Sequence, residues 1–127
     1  MKKKLLVLLM ALLCISCEGH GTLLEFNGGE LYYTSNVTLA EANKLGKYCV
    51  KEEFFDGNRK TIQLDKEGST YLFRMVVKKG LENDQEFINI AKVTAAELSQ
   101  NVFNGKQVDI HLCDENLKTL RVVVSLQ

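Results

Sequence analysis

His111 and Cys113 stand two positions apart, and Asp109 stands two positions before His111. In an extended segment, alternate side chains share one face. This spacing would therefore gather a carboxylate, an imidazole and a thiol on one side of a strand. Such a set could serve metal ligation, which needs several converging donors, or thiolate catalysis, which needs a base and an oxyanion site. One His and one Cys fall short of both. No metal ligand, cofactor or catalytic residue is therefore expected, and a small thiol-dependent enzyme using Cys113 and His111 stands as an alternative. Tyr32 and Tyr33 are adjacent, so on a strand one points inward and one outward. An exposed Tyr can stack on a sugar or a base. The run Lys78-Lys79-Gly80-Leu81-Glu82-Asn83-Asp84 switches sign within a few residues and reads as a solvated connection. Glycine-rich phosphate loops, triad orders and metalloprotease signatures do not occur.

The 127 residues carry 16 basic and 16 acidic side chains, 46% hydrophobic and 25% charged residues. These are the proportions of an ordinary globular domain. The balance of charge hides an asymmetry: three of the cations are Lys2, Lys3 and Lys4. The remainder is slightly acidic and has no basic patch, which argues against a nucleic-acid partner.

Those lysines open a three-part leader. Leu5 to Leu13 is an unbroken apolar run, Ser16 and Cys17 are small, and Glu18-Gly19-His20-Gly21 turns polar. This is the layout of a secretory signal, and the run is shorter than the roughly 20 residues that cross a bilayer. Leu13-Cys14-Ile15-Ser16-Cys17 resembles the lipobox of bacterial lipoproteins. The resemblance implies diacylglycerol on the Cys17 sulfur, cleavage between Ser16 and Cys17, and acylation of the new N-terminus. Cys14 stands where Leu is usual in that motif. The competing reading is ordinary cleavage near Ser16 with no lipid. Each buried CH₂ of a lipid contributes about 0.8 kcal/mol and two or more chains anchor firmly, so the lipidated form would be membrane-held. The resemblance thus implies residence at an outer membrane, in the periplasm or on the cell surface, with the membrane reached through the N-terminal lipid. The expected organisation is a signal peptide over 1–16, a short tether over 17–21 and one domain over 22–127.

Within that domain, Thr38-Leu39-Ala40-Glu41 is a capping box. It opens a helix to about Glu53 with Leu39, Ala42, Leu45, Cys49 and Val50 on its apolar stripe. A second helix opens at Asn83 or Asp84, runs its stripe through Phe87, Ile90, Ala91, Thr94, Leu98 and Val102, and stops before Asn104-Gly105. Alternating segments flank turn signals at Asn27-Gly28-Gly29, at Glu67-Gly68 and around Glu115-Asn116-Leu117. The middle hairpin would pair Ile62 with Phe73 and Leu64 with Tyr71. The last would set Val108, Ile110 and Leu112 against Val124, Val122 and Leu120 on the core side. Cys49 then faces the core and Cys113 the other side of the sheet, which precludes a disulfide, since bridged Cα atoms lie within about 7 Å.

Phe55-Asp56-Gly57 and Phe103-Asn104-Gly105 are 48 positions apart, and Phe26-Asn27-Gly28 is a third copy. At the same offset Ile62 meets Ile110, Leu64 meets Leu112 and Val76 meets Val124. This reads as a duplicated helix–hairpin unit over about 39–77 and 87–125. The expected fold is α+β: a two-layer sandwich with two helices on one face of an antiparallel-dominated sheet. Its core follows a ferredoxin-like β-α-β-β-α-β order, with an extra C-terminal strand and an N-terminal hairpin. The uncovered face would present Thr61, Gln63, Leu72, Arg74, Asp109, His111, Cys113, Thr119, Arg121 and Val123. Tyr32, Arg74, His111 and Arg121 are its candidate binding residues. The expected function is a non-enzymatic binding module of the cell envelope, contacting another envelope protein or a cell-wall glycan. In architecture and location it is similar to peptidoglycan-binding SPOR domains. The alternatives are a homo-oligomeric structural subunit and the thiol enzyme above.

Overall fold

The computed structural model describes residues 19–125. The expectations for Ser16 and Cys17 lie outside the described residues. The chain forms β1 (Thr22–Phe26), β2 (Gly29–Tyr33), α1 (Leu39–Lys51), β3 (Thr61–Glu67), β4 (Thr70–Val76), a 3₁₀ turn (Leu81–Asn83), α2 (Gln85–Asn101), β5 (Val108–Cys113) and β6 (Thr119–Val124). The six strands lie in one sheet in chain order. Antiparallel hairpins β1–β2, β3–β4 and β5–β6 alternate with parallel pairs β2–β3 and β4–β5. Each helix therefore crosses between neighbouring parallel strands. The β-α-β-β-α-β succession is as expected, with a strand added at each end. No strand is inserted within either β-α-β unit, as a split arrangement would have it.

Local chemistry accounts for the boundaries. The Thr38 hydroxyl accepts from the Glu41 amide at 3.1 Å, and the Glu41 carboxylate accepts from the Thr38 amide at 2.8 Å. Asp84 caps α2 by accepting from the Phe87 amide at 3.0 Å. Asn27 and Gly28 both hold positive φ, 45° and 83°, the conformation of a two-residue type I′ hairpin turn. A Cβ on Gly28 would lie 2.6 Å from the Gly57 carbonyl oxygen. The first two Phe-Asn/Asp-Gly motifs dock there: the Gly57 amide donates to the Asn27 carbonyl at 3.0 Å, and Asn27 Nδ2 donates to the Phe55 carbonyl at 3.1 Å. Phe55 is fully buried against Gly29. Phe103, its counterpart in the next unit, stacks on Tyr71 with ring centroids 4.1 Å apart. The two parallel registers, Leu31 with Ile62 and Phe73 with Ile110, put Gly29 and Tyr71 at equivalent places.

One apolar cluster joins Ala42, Leu45 and Cys49 of α1 and Ile88, Ala91, Ala95 and Leu98 of α2 to Leu31, Ile62, Leu64, Phe73, Val108, Ile110 and Leu112 of the sheet. A fully buried Leu or Ile contributes about 1.5–3 kcal/mol. An exposed ion pair such as Arg59–Glu30 contributes about 0–1 kcal/mol. The core therefore holds the fold; Cys49 within it and Cys113, buried outside that cluster, are both free.

Three expectations need correction. The middle turn is Gly68-Ser69, because β3 runs on to Glu67 opposite Thr70. The pairs are thus Ile62–Met75 and Leu64–Phe73, two residues out of the expected register but with every side chain on its expected face. The last hairpin is a true slip. A bulge between Leu112 and Cys113 places Ile110 opposite Val123 and His111 opposite Val122. Val123 is therefore the buried residue, and Leu120, Val122 and Val124 are exposed. On the helices, Leu39, Val50 and Ile90 face solvent, while Gly46, Ile88 and Ala95 occupy the buried stripe.

Candidate functional site

The helices leave one face of the sheet uncovered, and the register writes a single row across it. Leu23 pairs with Tyr32, Tyr32 with Gln63, Gln63 with Arg74, Arg74 with His111, and His111 with Val122. Three of the four expected binding residues, Tyr32, Arg74 and His111, thus lie in one line across four adjacent strands. Tyr33 points the other way and packs on the core.

The fourth, Arg121, does not belong to this face. It pairs with core-facing Leu112, and its guanidinium donates to the Glu82 carbonyl and to Asn83 Oδ1. It ties β6 to the 3₁₀ turn ahead of α2. Val123 is absent from the face for the same reason, the bulge.

At the near end of the row, the chain before β1 crosses the face. Gln63 is 8% exposed, and its Nε2 donates to the His20 carbonyl at 2.8 Å. The His20 ring meets the edge of Tyr32 at 5.4 Å. Sequence alone gave no sign of this contact, since Gly19-His20-Gly21 reads as a plain tether.

At the far end, the turn after β5 folds over the face. Leu117 holds φ 61° and is buried. Arg74 Nη1 donates to the Leu117 carbonyl at 3.5 Å and to the Thr119 hydroxyl at 3.3 Å. His111 Nδ1 lies 2.9 Å from the same hydroxyl. Arg74 Nε is buried without a hydrogen-bond partner. A buried, unsatisfied donor costs about 1–3 kcal/mol, more when charged, so this atom calls for a physical reason. Burial, then the Arg74 charge, holds His111 below its ordinary pKa, against the pull of Asp109, Glu67 and Asp65.

Cys113 lies on this outward face, as expected, but it is fully buried beneath the turn. Its thiol donates to the His111 main-chain carbonyl at 3.4 Å, and burial pushes its pKa up. The imidazole takes the Thr119 hydroxyl and the thiol takes a carbonyl. Asp109 accepts from Gln107 at 3.0 Å. The Asp-His-Cys spacing therefore shares a face without forming a relay. Among the described residues no three His, Cys, Asp or Glu side chains converge as metal ligands.

A shallow cleft of about 540 Å³ lies beyond the ends of β4 and β5, with Lys78, Lys79, Glu82, Asp114, Glu115 and Leu120 in its walls. Its charges are mixed, and it stands apart from the row.

Fold and face together define an α+β two-layer sandwich, built from three hairpins and two crossover helices, with one sheet face left open. Residues 23–125 match the model of the AF_1994_N family N-terminal domain, and the chain belongs to that family. No curated protein and no solved structure matches it.

Proposed function

We propose that the protein is an exported, lipid-anchored module of the bacterial cell envelope that binds a partner through its uncovered sheet face, without catalysis. The observation that carries this reading is the row Tyr32–Gln63–Arg74–His111, four polar side chains on neighbouring strands with no helix above them. A one-sided antiparallel sheet normally solvates such a face, and aromatic and arginine side chains are those most often used for recognition. The basic, apolar and small-residue order of residues 1–17 supports export and acylation at Cys17. The partner is another envelope protein or a cell-wall glycan. Mass spectrometry of the mature N-terminus tests the anchor: the expected product begins at Cys17 and carries acyl mass. Retention on purified cell wall or membrane extract tests the binding, and retention on neither counts against it.

A specific feature favours a second reading, a homo-oligomeric subunit. Strand β6 is a sheet edge with exposed Leu120, Val122 and Val124, and unpaired edges recruit further strands. Sedimentation over a range of concentrations separates the two readings.

A further inference from the structure

The parallel strands β4 and β5 end side by side, and their continuations part. The last bond of their ladder runs from the Val77 amide to the Cys113 carbonyl at 3.0 Å. Residues 77–84 then pass to the helix layer, where Arg121 holds Glu82 and Asn83 and where Asp84 caps α2. The turn after Cys113 goes the other way and folds Leu117 over the open face. In open sheets with parallel strands and crossover helices, ligands lodge in the crevice outside the carboxyl ends, where neighbouring connections diverge. The cleft of about 540 Å³ is that crevice. At the other parallel pair, residues 34–38 make a shorter connection. The corresponding end is tied shut there, since Asp65 accepts from the Thr34 hydroxyl at 2.6 Å and from the Asn36 side-chain amide at 3.1 Å.

The walls of the cleft carry opposite signs. Lys78 and Lys79 stand on the connection to the helix, and Asp114 and Glu115 stand on the turn. The ion pairs among the described residues are Arg59–Glu30 and Lys60–Asp56, so the two walls do not close on each other. The third carboxylate, Glu82, turns back and accepts from the Gly80 amide at 2.8 Å. Asp114 Oδ1 accepts from the amides of Asn116 and Lys118 at 2.9 and 3.0 Å, which holds the acidic wall in shape. Between the walls lie Val77, packed on the core, and the exposed Leu120. Two ammonium groups on one side, two carboxylates on the other and an apolar strip between them suit an elongated molecule with an anion at one end and a cation at the other. A ligand of one sign would be repelled by one of the walls.

We propose that this cleft binds a short peptide with both ends free. The peptide carboxylate meets Lys78 and Lys79, its ammonium meets Asp114 and Glu115, and its side chains lie on Val77 and Leu120. Two or three extended residues span about 7–11 Å, a size that a cleft of this volume holds. The site lies apart from the row on the open face, so it goes beyond the reading of that face as a binding surface and does not depend on it.

The test is ¹H–¹⁵N NMR of the full-length protein in neutral detergent, at about pH 6.5 and low salt, where exposed charges are least screened. Trialanine is the probe. N-acetyl-trialanine lacks the ammonium, trialanine amide lacks the carboxylate, and phosphoethanolamine is a compact zwitterion that competes. Saturable movement of the Val77, Asn116 and Leu120 signals is expected at millimolar trialanine, with Gln63 and Arg74 of the row unmoved. Each cap is expected to weaken binding about threefold or more. Lys78→Gln combined with Lys79→Gln should abolish the difference between trialanine and its amide, and Glu115→Gln should shrink the difference between trialanine and its N-acetyl form. These three side chains are exposed, so their replacement leaves the fold intact. Unmoved Val77 and Leu120 signals, equal binding of trialanine and both capped forms, or tighter binding of phosphoethanolamine would each overturn the site. Movement confined to Gln63 and Arg74 would also overturn it, by placing the peptide on the open face instead.

Discussion

At the scale of single residues, the thiols and the titrating groups show what alternation can and cannot tell. Placing Tyr32, Arg74 and His111 on one face required only the period-two rule and correct strand limits, so it was legible in the sequence. The burial of Cys113 was not, because it depends on Leu117 turning back over the sheet with a positive φ. Burial raises the Cys49 thiol to about 12 and also pushes Cys113 upward. Both are therefore expected to resist a thiol reagent at neutral pH and to react fully only in denaturant. Fast native labelling of Cys113 would revive the enzyme alternative. Stability should respond to acid in two stages. His111 is held low by burial and by Arg74, so the unfolded chain takes up its proton first, and stability declines from about pH 6.5 downward. Burial raises Glu41, but the hydrogen bonds from Tyr71 and Thr38, with the Lys66 charge, outweigh it and leave the carboxyl below its ordinary value. Its contribution is whole above about pH 4.5 and is lost as the pH falls through the folded pKa. Thermal melts against pH are expected to lose the upper stage in His111→Gln and to flatten in the lower stage in Glu41→Gln. A profile unchanged in both variants would contradict these assignments.

Among the elements, helix starts were legible because their signals are local. Thr38 with Glu41, and Asp84 with the Phe87 amide, act within one turn of chain. The helix stripes were less so: Ile90 reads as core by hydrophobicity, yet it is exposed, and Ile88, Ala91, Ala95 and Leu98 form the buried side of α2. Strand β6 was misread because Leu120, Val122 and Val124 form the more apolar alternating set. The bulge at Leu112/Cys113 turns that set outward and leaves Val123 alone in the core. Only the tertiary turn dictates this, since an extra residue flips every side chain after it. The register gives a sharp expectation for paired substitutions. Val123 is 2% exposed and Val122 is 47% exposed. Val123→Ala should cost about 2 kcal/mol in urea unfolding, and Val122→Ala less than about 0.5 kcal/mol. The opposite ranking would restore the register expected from alternation alone.

For the molecule as a whole, the repeat was the sequence feature that reached furthest, since the 48-residue offset that relates Phe55-Asp56-Gly57 to Phe103-Asn104-Gly105, and the segments around them, foreshadowed two crossovers of the same register. What it lacked was the path of the chain into the fold. Gln63 pins the His20 carbonyl at 2.8 Å on the open face, and Cys17 is three positions earlier in the chain. Three extended residues span at most about 10–11 Å. An acylated Cys17 would therefore keep the open face toward the lipid headgroups and the helices away from them. A ligand would then be met in the layer of solvent next to the bilayer. Two positions are matched for testing this: Val122 on the open face and Val93 on the outer side of α2 are each 47% exposed. The buried thiols of Cys49 and Cys113 leave Val122→Cys and Val93→Cys as the reactive sites in acylated protein. With a fluorophore at each, and a quencher on the headgroups of the host vesicles, the label at 122 is expected to be quenched several-fold more than the label at 93. Equal quenching would mean that the His20–Gln63 contact does not orient the domain on the membrane.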